Sequence, residues 1–422
     1  MKIAFLTARL SEIRGGGILL CNYAKALSKC CNVDAMVYSV EKPHADYSKL
    51  RDVFDKDTMA RVKFVELPQE EKAENKLFRT FRFFDSVLRD VGETGIKGVT
   101  LLWTLRRGRE KYLPKLTYFR DLLLGHFVDY DIVHMGAWFA LYTFEASRLK
   151  NKLPYKTVVH SIYHDVPLGI TRWRTCTQIL SRINAVTTST LWEEKSFKEQ
   201  GLSNVYFVGE GVDIEHIESE TAGMPSEEDV FTIVYIGAKE HGKGYYHALL
   251  AVNRFAKKVG YGKVRMIMIG RGNLSVAPLS LQKNAFEAYR ELKQHECLED
   301  YGFVSEREKL RYLKKAHVVL LPSKAETIPL VTLEAWALKK PSILCGIPTV
   351  KSVIGRDGNG AVLVNYGDIN GMVQKLEDFY KNPDLLSSVG LRGHTILMEY
   401  GSLKSVSTRL LSGYEKILTK AD

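Results

Sequence analysis

The chain has 422 residues, of which 45% are hydrophobic and 26% are charged. This length favours at least two domains with separate cores, and the composition excludes a fibrous or largely disordered protein. The net charge of +11 predicts an anionic partner, which could be a nucleotide, a nucleic acid or a membrane surface.

The apolar segments are short, and the cysteines show no framework. No run of about eighteen apolar residues occurs, and the N-terminal MKIAFLTARL is too short for a signal sequence. The six cysteines include no CxxC pair and no zinc-like spacing, which favours reduced thiols. We therefore expect a cytoplasmic protein without a membrane span.

The N-terminal part alternates between strand-like and helix-like patterns. MKIAFLT predicts a strand, the glycines at 15–17 a loop, NYAKALSK a helix and VDAMVYSV a second strand. Backbone at Gly16 and Gly17 could approach a ligand without a side-chain clash. DIVHMG and KTVVHSIY add two short strands, so this part predicts a parallel α/β unit.

A basic segment interrupts this alternation near residues 75–125. KLFRTFRFFDSVLRDV has apolar residues at helical spacing with Lys and Arg between them, and Trp103 and Tyr118 lie in a similar stretch that follows. The pattern fits a helix on an anionic membrane surface. It fits equally well a helical insertion that packs on its own domain.

An acidic stretch that is poor in apolar residues, at about 215–230, separates a second series of strands and helices. We predict an α/β protein of two Rossmann-like, doubly wound domains facing a central cleft that holds the ligand. The predicted boundaries are 1–215 and 216–400. Residues 401–422 are predicted to form a helix that returns to the N-terminal domain.

Two glutamates flank a predicted helix start in KAETIPLVTLEAW, residues 324–336. Glu326 follows a buried strand, and Glu334 lies about one turn into the helix. A helical span would separate them by about 12 Å, which exceeds the ~5 to 9.5 Å of a glycosidase pair. The amides of Leu330, Val331 and Thr332 predict an anion site between them. The alternative is a carboxylate on the helix dipole and an unrelated surface charge.

Two more loops follow predicted strands of the second domain. YIGAKEHGKGYYHALL places Lys239 and Lys243 in a glycine loop where both could reach a phosphate, and MIGRGN repeats a glycine loop at 268–273. Each loop could also be a simple tight turn.

The order of these motifs resembles family 4 of the retaining glycosyltransferases, which have the GT-B fold. The resemblance covers nearly the whole chain except about 75–125. It rests on GGG, YDIVH, VGEGVDIEHI, the KG pair at 243–244, MIGRGN, YGFVSEREKL and ETIPLVTLE with its two glutamates. The resemblance implies transfer of a sugar from a UDP- or GDP-sugar, bound in the C-terminal domain, to a glycan or lipid-linked acceptor.

The resemblance also implies roles for individual residues. Glu326 matches the glutamate at the sugar and the reaction centre, Glu334 the one that binds ribose hydroxyls, and Lys243 the lysine on the diphosphate. The other implied positions are Gly16 and Gly17 at the donor phosphate or acceptor, Phe303 and Val304 beside the nucleobase with Arg271 nearby, and His164 with Asp165 at the acceptor side. His160 is an almost equally good match there.

Ala238 departs from the family pattern, because an arginine usually follows the glycine of YIG and pairs with the lysine. Lys239 could substitute, but Arg and Lys are not equivalent at a diphosphate. Ala238 therefore favours one alternative, a non-catalytic nucleotide-sugar-binding or membrane scaffold subunit. A GT-B sugar-nucleotide epimerase is the other alternative.

The expected partners follow from this resemblance. We expect no required cofactor or metal and no nucleic acid partner. Peripheral contact with the inner face of a membrane is an option that the basic segment leaves open. The sequence does not determine the oligomeric state.

Overall fold

The computed structural model describes residues 1–8, 10, 15–31, 33–41, 50, 53–66, 118–136, 141–161, 176–225, 229–272 and 278–419. Most of the basic segment near 75–125 lies outside these residues and is not tested. Its end, residues 118–125, is helical and buries Phe119, Leu122 and Leu123 in the core of the N-terminal domain. Among the helices that these ranges include, none combines the length and the apolar character needed to cross a bilayer.

The N-terminal domain is built on a seven-stranded parallel sheet in the order β3-β2-β1-β4-β5-β6-β7. The strands are β1 (Lys2–Ala8), β2 (Asp34–Glu41), β3 (Val62–Glu66), β4 (Ile132–Met135), β5 (Lys156–Ser161), β6 (Ala185–Thr188) and β7 (Val205–Phe207). The helices around it whose bounds are given are α1 (Gly15–Cys31), α2 (Lys56–Ala60), α3 (Leu141–Leu149) and α4 (Leu191–Glu199), and residues 118–125 and 176–180 are also helical. The inner strands β4 and β6 are buried along their whole length, as expected for a parallel sheet covered on both faces.

The C-terminal domain has a six-stranded parallel sheet in the order β10-β9-β8-β11-β12-β13. Its strands are β8 (Phe231–Ile236), β9 (Val264–Ile269), β10 (Leu298–Tyr301), β11 (Val318–Leu321), β12 (Ser342–Cys345) and β13 (Ala361–Val364). The helices are α5 (Ile214–Thr221), α6 (Tyr245–Val259), α7 (Leu279–Gln294), α8 (Glu306–Lys315), α9 (Leu330–Ala337), α10 (Pro348–Ile354), α11 (Ile369–Lys381) and α12 (Pro383–Tyr400).

Local sequence explains where several of these helices begin. Ser305 and Glu308 form a reciprocal capping box at the start of α8, and Thr190 and Glu193 form another at α4. Pro383 occupies the first turn of α12, where a missing N–H costs nothing. The residue at which a helix begins determines which of its side chains face the ends of the strands.

Both sheets reverse their strand order at an internal position. The chain begins at β1 or β8, moves to one edge, and then continues on the other side with β4 or β11. In doubly wound sheets, ligands bind beyond the carboxyl ends of the strands at this switch point. The predicted fold of two Rossmann-like domains is confirmed.

The chain crosses between the domains twice. Val212 forms a bridge with Ser402, and its N–H donates to the carbonyl of Gly401 at 3.0 Å. After the second crossing, helix α13 (Leu403–Thr419) packs on α1, and its Val406, Leu410 and Tyr414 join the core of the N-terminal domain. The two crossings therefore lie side by side.

Candidate functional site

Two loops of the C-terminal domain meet at the switch point. Residues 237–244 after β8 are called the lysine loop, and residues 322–329 after β11 the glutamate loop. Gly244 has a φ of +72°, and a Cβ there would lie 2.1 Å from the carbonyl oxygen of Pro322. The Lys324 N–H donates to the carbonyl of Gly242 at 2.8 Å. Only glycine at 244 permits this approach.

The contact between these loops joins Lys243 and Glu326. Lys243 Nζ lies 2.6 Å from Glu326 Oε1, with the two side chains 35% and 14% exposed. The hydroxyl of Thr349, at the start of α10, donates to the carbonyl of Glu326 at 2.6 Å. The carboxylate is therefore fixed through both its backbone and its side chain, beside a cation that is still accessible to a ligand.

The glutamate loop leads into helix α9, whose N-terminal amides were predicted to form an anion site. Helix α9 begins at Leu330 after Pro329, as predicted. The Thr332 N–H, however, already donates to the carbonyl of Pro329 at 2.8 Å. The prediction of a free donor was therefore wrong for Thr332. The roles of the Leu330 and Val331 amides stay predictions.

Glu334 lies on α9 in a different environment from Glu326. It is 9% exposed and accepts a hydrogen bond of 2.8 Å from Lys309 Nζ on α8, which also lies 2.7 Å from Glu306. Burial alone lowers the pKa of Lys309, but the two carboxylates outweigh it and raise that pKa above its ordinary value. Glu334 thus belongs to a charged triad.

This triad lines a pocket of about 70 Å³ between the two domains. The N-terminal domain contributes α1 and α2 to its wall, including Asn22, Lys25 and Asp55. The C-terminal domain contributes α5, α8 and α9. Glu334 therefore faces the space between the two domains.

Arg271, Phe303 and Val304 were predicted near a nucleobase, after β9 and β10. The guanidinium carbon of Arg271 lies 5.3 Å from the ring centre of Phe303, and Val304 packs partly buried against the core. The structure therefore brings the first two together. A cation over a half-buried ring makes a surface on which an aromatic base can stack.

Lys239 makes contacts that the sequence did not predict. Its ammonium pairs with Asp300 and donates to the carbonyl of Tyr301 at 2.7 Å. Ala238, at the family's arginine position, accepts a hydrogen bond from the hydroxyl of Tyr235 through its carbonyl. A role for Lys239 at a phosphate stays a prediction and requires it to leave Asp300.

The N-terminal domain corrects one prediction and leaves another outside the described residues. Gly16 and Gly17 were expected in a loop, but they lie in the first turn of α1. A Cβ at Gly17 would lie 3.0 Å from the side chain of Leu10, so close packing explains this glycine. Whether either glycine contacts a ligand stays a prediction. His164 and Asp165 lie outside the described residues.

His160, the alternative acceptor-side histidine, lies in the core. It is 1% exposed, and its two ring nitrogens hydrogen-bond Thr187 at 3.0 Å and Ser189 at 3.1 Å. Burial lowers its pKa to about 3, so the ring is neutral. These contacts favour a structural role for His160.

The sequence patterns did not single out Glu210, although it lies inside the VGEGVDIEHI motif. Its carboxyl group is buried and accepts a hydrogen bond from the hydroxyl of Thr327, next to Glu326. Burial raises the pKa of Glu210 to about 7. A carboxylate between two glycines in a linker is the signal that could have identified it.

Three polar features lie on the lysine loop, the glutamate loop and the helix that follows it. Lys243 supplies a cation, Glu326 a carboxylate beside it, and the Glu334 triad a second polar group on the following helix. This arrangement can bind a ligand that carries negative charge at its centre and hydroxyl groups on both sides.

Comparison with known proteins finds similar sequences and similar folds. The family model described as "Glycosyl transferases group 1" matches residues 217–394. Among curated relatives, an "Uncharacterized 41.2 kDa protein in cps region" of Klebsiella pneumoniae is 24% identical over 59% of this chain and 69% of its own. "Putative glycosyltransferase EpsD" of Bacillus subtilis is 24% identical over 46% of this chain and 48% of its own.

Solved structures extend the likeness to both domains. A TarM variant from S. aureus, in complex with fondaparinux, alpha-GlcNAc-glycerol and UDP, has a TM-score of 0.71 and 13% identity, covering 100% of both chains. Anabaena HepE, in complex with UDP and glucose, has a TM-score of 0.65 and 13% identity, covering 98% of this chain and 99% of its own. The chain therefore has the GT-B fold, and its residues 217–394 are similar to the glycosyl transferases group 1 family.

Proposed function

We propose that the protein is a retaining glycosyltransferase that moves a hexose-type residue from a UDP- or GDP-sugar to a glycan or lipid-linked acceptor. The observation that carries this proposal is the ion pair of Lys243 and Glu326, at 2.6 Å between the lysine loop and the glutamate loop. It lies in the domain that matches the glycosyl transferases group 1 family. The UDP complex of HepE supports the choice of donor, and the alpha-GlcNAc-glycerol in the TarM structure supports a glycan-type acceptor.

In the proposed reaction, the bond from the anomeric carbon to the diphosphate oxygen breaks and its electron pair leaves with the diphosphate. The acceptor oxygen forms the new bond on the same face, and its proton passes to the departing diphosphate. Lys243 stabilises the charge that develops on the leaving group. Glu326 holds sugar hydroxyls at the reaction centre, and Glu334 holds those of the ribose. No metal is needed in this scheme.

A second candidate is a nucleotide-sugar-binding subunit without turnover. Ala238 stands at the position of the usual arginine, and Lys239 is paired with Asp300. Lys243, which pairs with Glu326, would then be the lysine of this loop left to contact a diphosphate. A single lysine stabilises a leaving diphosphate less well than a lysine and an arginine together.

A panel of UDP- and GDP-sugars distinguishes these candidates. We expect release of free nucleotide that depends on one donor and increases with an acceptor. Donor binding by calorimetry without nucleotide release from any donor or acceptor would favour the non-catalytic subunit. Absence of both binding and release would exclude both candidates.

Contact with a membrane is a separate part of the proposal. It rests on the basic, aromatic-rich sequence near 75–125. We expect the protein to sediment with vesicles that contain anionic lipid at low salt and to be released at high salt. Binding that is absent or insensitive to salt would favour an insertion that packs on its own domain.

A further inference from the structure

Glu210 lies where the chain first crosses between the domains, between β7 and α5. The flanking glycines leave little space: a Cβ at Gly209 would lie 2.9 Å from the carbonyl oxygen of Tyr400, and one at Gly211 would lie 3.2 Å from Val406. Both contacts involve the second crossing or the helix that follows it. The backbone of Glu210 is therefore held between the two crossings.

The side chain of Glu210 contacts both domains. Its carboxylate accepts hydrogen bonds from the hydroxyl of Thr327, in the glutamate loop, and from the hydroxyl of Ser189, which follows β6. Its backbone N–H donates to the hydroxyl of Tyr400. The side chain is 5% exposed, so water does not replace these partners readily.

Behind Ser189, the hydrogen bonds continue into the core of the N-terminal domain. Ser189 contacts His160 at 3.1 Å, and His160 contacts Thr187 at 3.0 Å. Thr187 contacts His134 at 3.0 Å, whose other ring nitrogen lies 2.6 Å from the hydroxyl of Tyr414 on α13. Glu210 is thus the end of a buried polar chain that is anchored in three strands and a helix.

We propose that Glu210 is a positioning residue for the transfer reaction, which acts through Thr327 to hold Glu326 beside Lys243. This inference rests on the proposed function. Thr327 is adjacent to Glu326 in the chain, so fixing its hydroxyl restricts the backbone that carries the carboxylate. The anchor lies at the domain crossing, and the position of Glu326 therefore depends on how the two domains are oriented.

The charge of Glu210 also contributes to this role. The charged groups that face it are Glu326 and Lys243 from the C-terminal domain. Tyr23 on α1 and Tyr400 on α12 also face it, with Glu193 of α4 and Arg409 of α13 close to these two tyrosines. Burial raises the pKa of Glu210 to about 7, so its ionisation changes near neutral pH. Only the ionised carboxylate accepts the hydrogen bonds from both hydroxyls with a full negative charge.

Variants of Thr327 test the positioning role. Thr327→Val removes the hydroxyl at nearly constant shape, and we expect kcat to fall about tenfold with little change in the donor KM. Thr327→Ser restores the hydroxyl and should restore most of kcat. Wild-type kcat in Thr327→Val would overturn the proposal.

The pH dependence of turnover is the second readout. We expect kcat to rise through about pH 7 in the wild type, and this rise should be absent in Glu210→Gln. Glu240→Gln, an exposed carboxylate of the lysine loop, is the matched control and should keep the wild-type profile. An unchanged profile in Glu210→Gln would overturn the proposal.

Hydrogen exchange separates this inference from the proposed function, because it needs no turnover. The amides of the glutamate loop should exchange about tenfold faster in Thr327→Val than in the wild type. Equal exchange in the two proteins would contradict the anchor even if the enzyme were active. Faster exchange in a protein that turns over no donor would support the anchor and reject the transfer reaction.

Discussion

Lys243 Nζ lies 2.6 Å from Glu326 Oε1, although 83 positions separate the two residues in the chain. The pair forms because β8 and β11 are neighbours in the sheet and their following loops touch. A diphosphate at Lys243 would compete with Glu326 for the same ammonium. Binding of the donor would then release the carboxylate for contact with the sugar.

Replacement of Glu326 by Gln should separate turnover from binding. We expect kcat to fall at least about a hundredfold, since the charge at the reaction centre is lost. Affinity for the nucleoside diphosphate should be maintained, because Lys243 keeps its charge and the diphosphate no longer competes with a carboxylate for it. Steady-state kinetics and calorimetry measure the two effects.

Lys324→Ala is the matched control, because it removes an exposed side chain of the same loop. It should leave both quantities near their wild-type values. If Glu326→Gln lost affinity for the nucleotide but kept its turnover, the role of Glu326 at the reaction centre would be contradicted.

Replacement of Glu334 by Ala should act mainly on binding. We expect the affinity for the nucleoside diphosphate to fall about tenfold, as for loss of one or two hydrogen bonds to a carboxylate. At saturating donor, kcat should change much less. Glu306→Ala removes the other carboxylate near Lys309 but keeps Glu334. Equal loss of affinity in both variants would indicate that the triad, and not Glu334 itself, contacts the ligand.

Replacement of Gly244 by Ala should destabilise the lysine loop. The residue has a φ of +72°, and the new Cβ would lie 2.1 Å from the carbonyl oxygen of Pro322. Backbone strain alone costs about 1 to 2 kcal/mol, and displacement of the glutamate loop adds to this. Gly242→Ala meets nothing within 4 Å and serves as the control. Thermal unfolding should distinguish the two variants, and equal midpoints would contradict the close approach.

Replacement of Glu210 by Gln should change how stability depends on pH. Burial raises the pKa of Glu210 from 4.5 to about 7, so the folded state binds more protons than the unfolded state in this interval. The free energy of unfolding of the wild type should therefore contain a contribution that is lost as the pH rises from about 4.5 to about 7. Above pH 7, the free energy of unfolding of Glu210→Gln should exceed that of the wild type by up to about 3 kcal/mol. Near pH 4.5, the two free energies should be almost equal. Denaturant unfolding at the two pH values measures this difference, and a constant offset would refute it.

Much of the architecture could be predicted because strand and helix periodicities are local. The buried apolar runs of β8 and β11 and the cap at Pro329 are visible in the sequence itself. The parallel sheet rule then places the loops with Lys243 and Glu326 at one edge. The predicted topology therefore brings these two loops together, although the ion pair itself was not predicted.

Other contacts depend on segments far apart in the chain, and no local pattern predicts them. Glu210 meets Thr327 only when both crossings are in place, and Lys239 meets Asp300 only across β9. The glycines 15–17 were expected in a loop because glycine is a poor helix former. Packing of Gly17 against Leu10 overrides this preference.

The packing of helix α13 on α1 has a consequence for synthesis of the chain. Residues 403–419 supply Val406, Leu410 and Tyr414 to the core that surrounds β1 and α1. A ribosome makes the N-terminal sheet before the C-terminal domain, but this part of its core emerges after that domain. All six strands of the C-terminal domain precede helix α13 in the chain, so this domain can fold earlier. The domain that is translated first is therefore the one completed last.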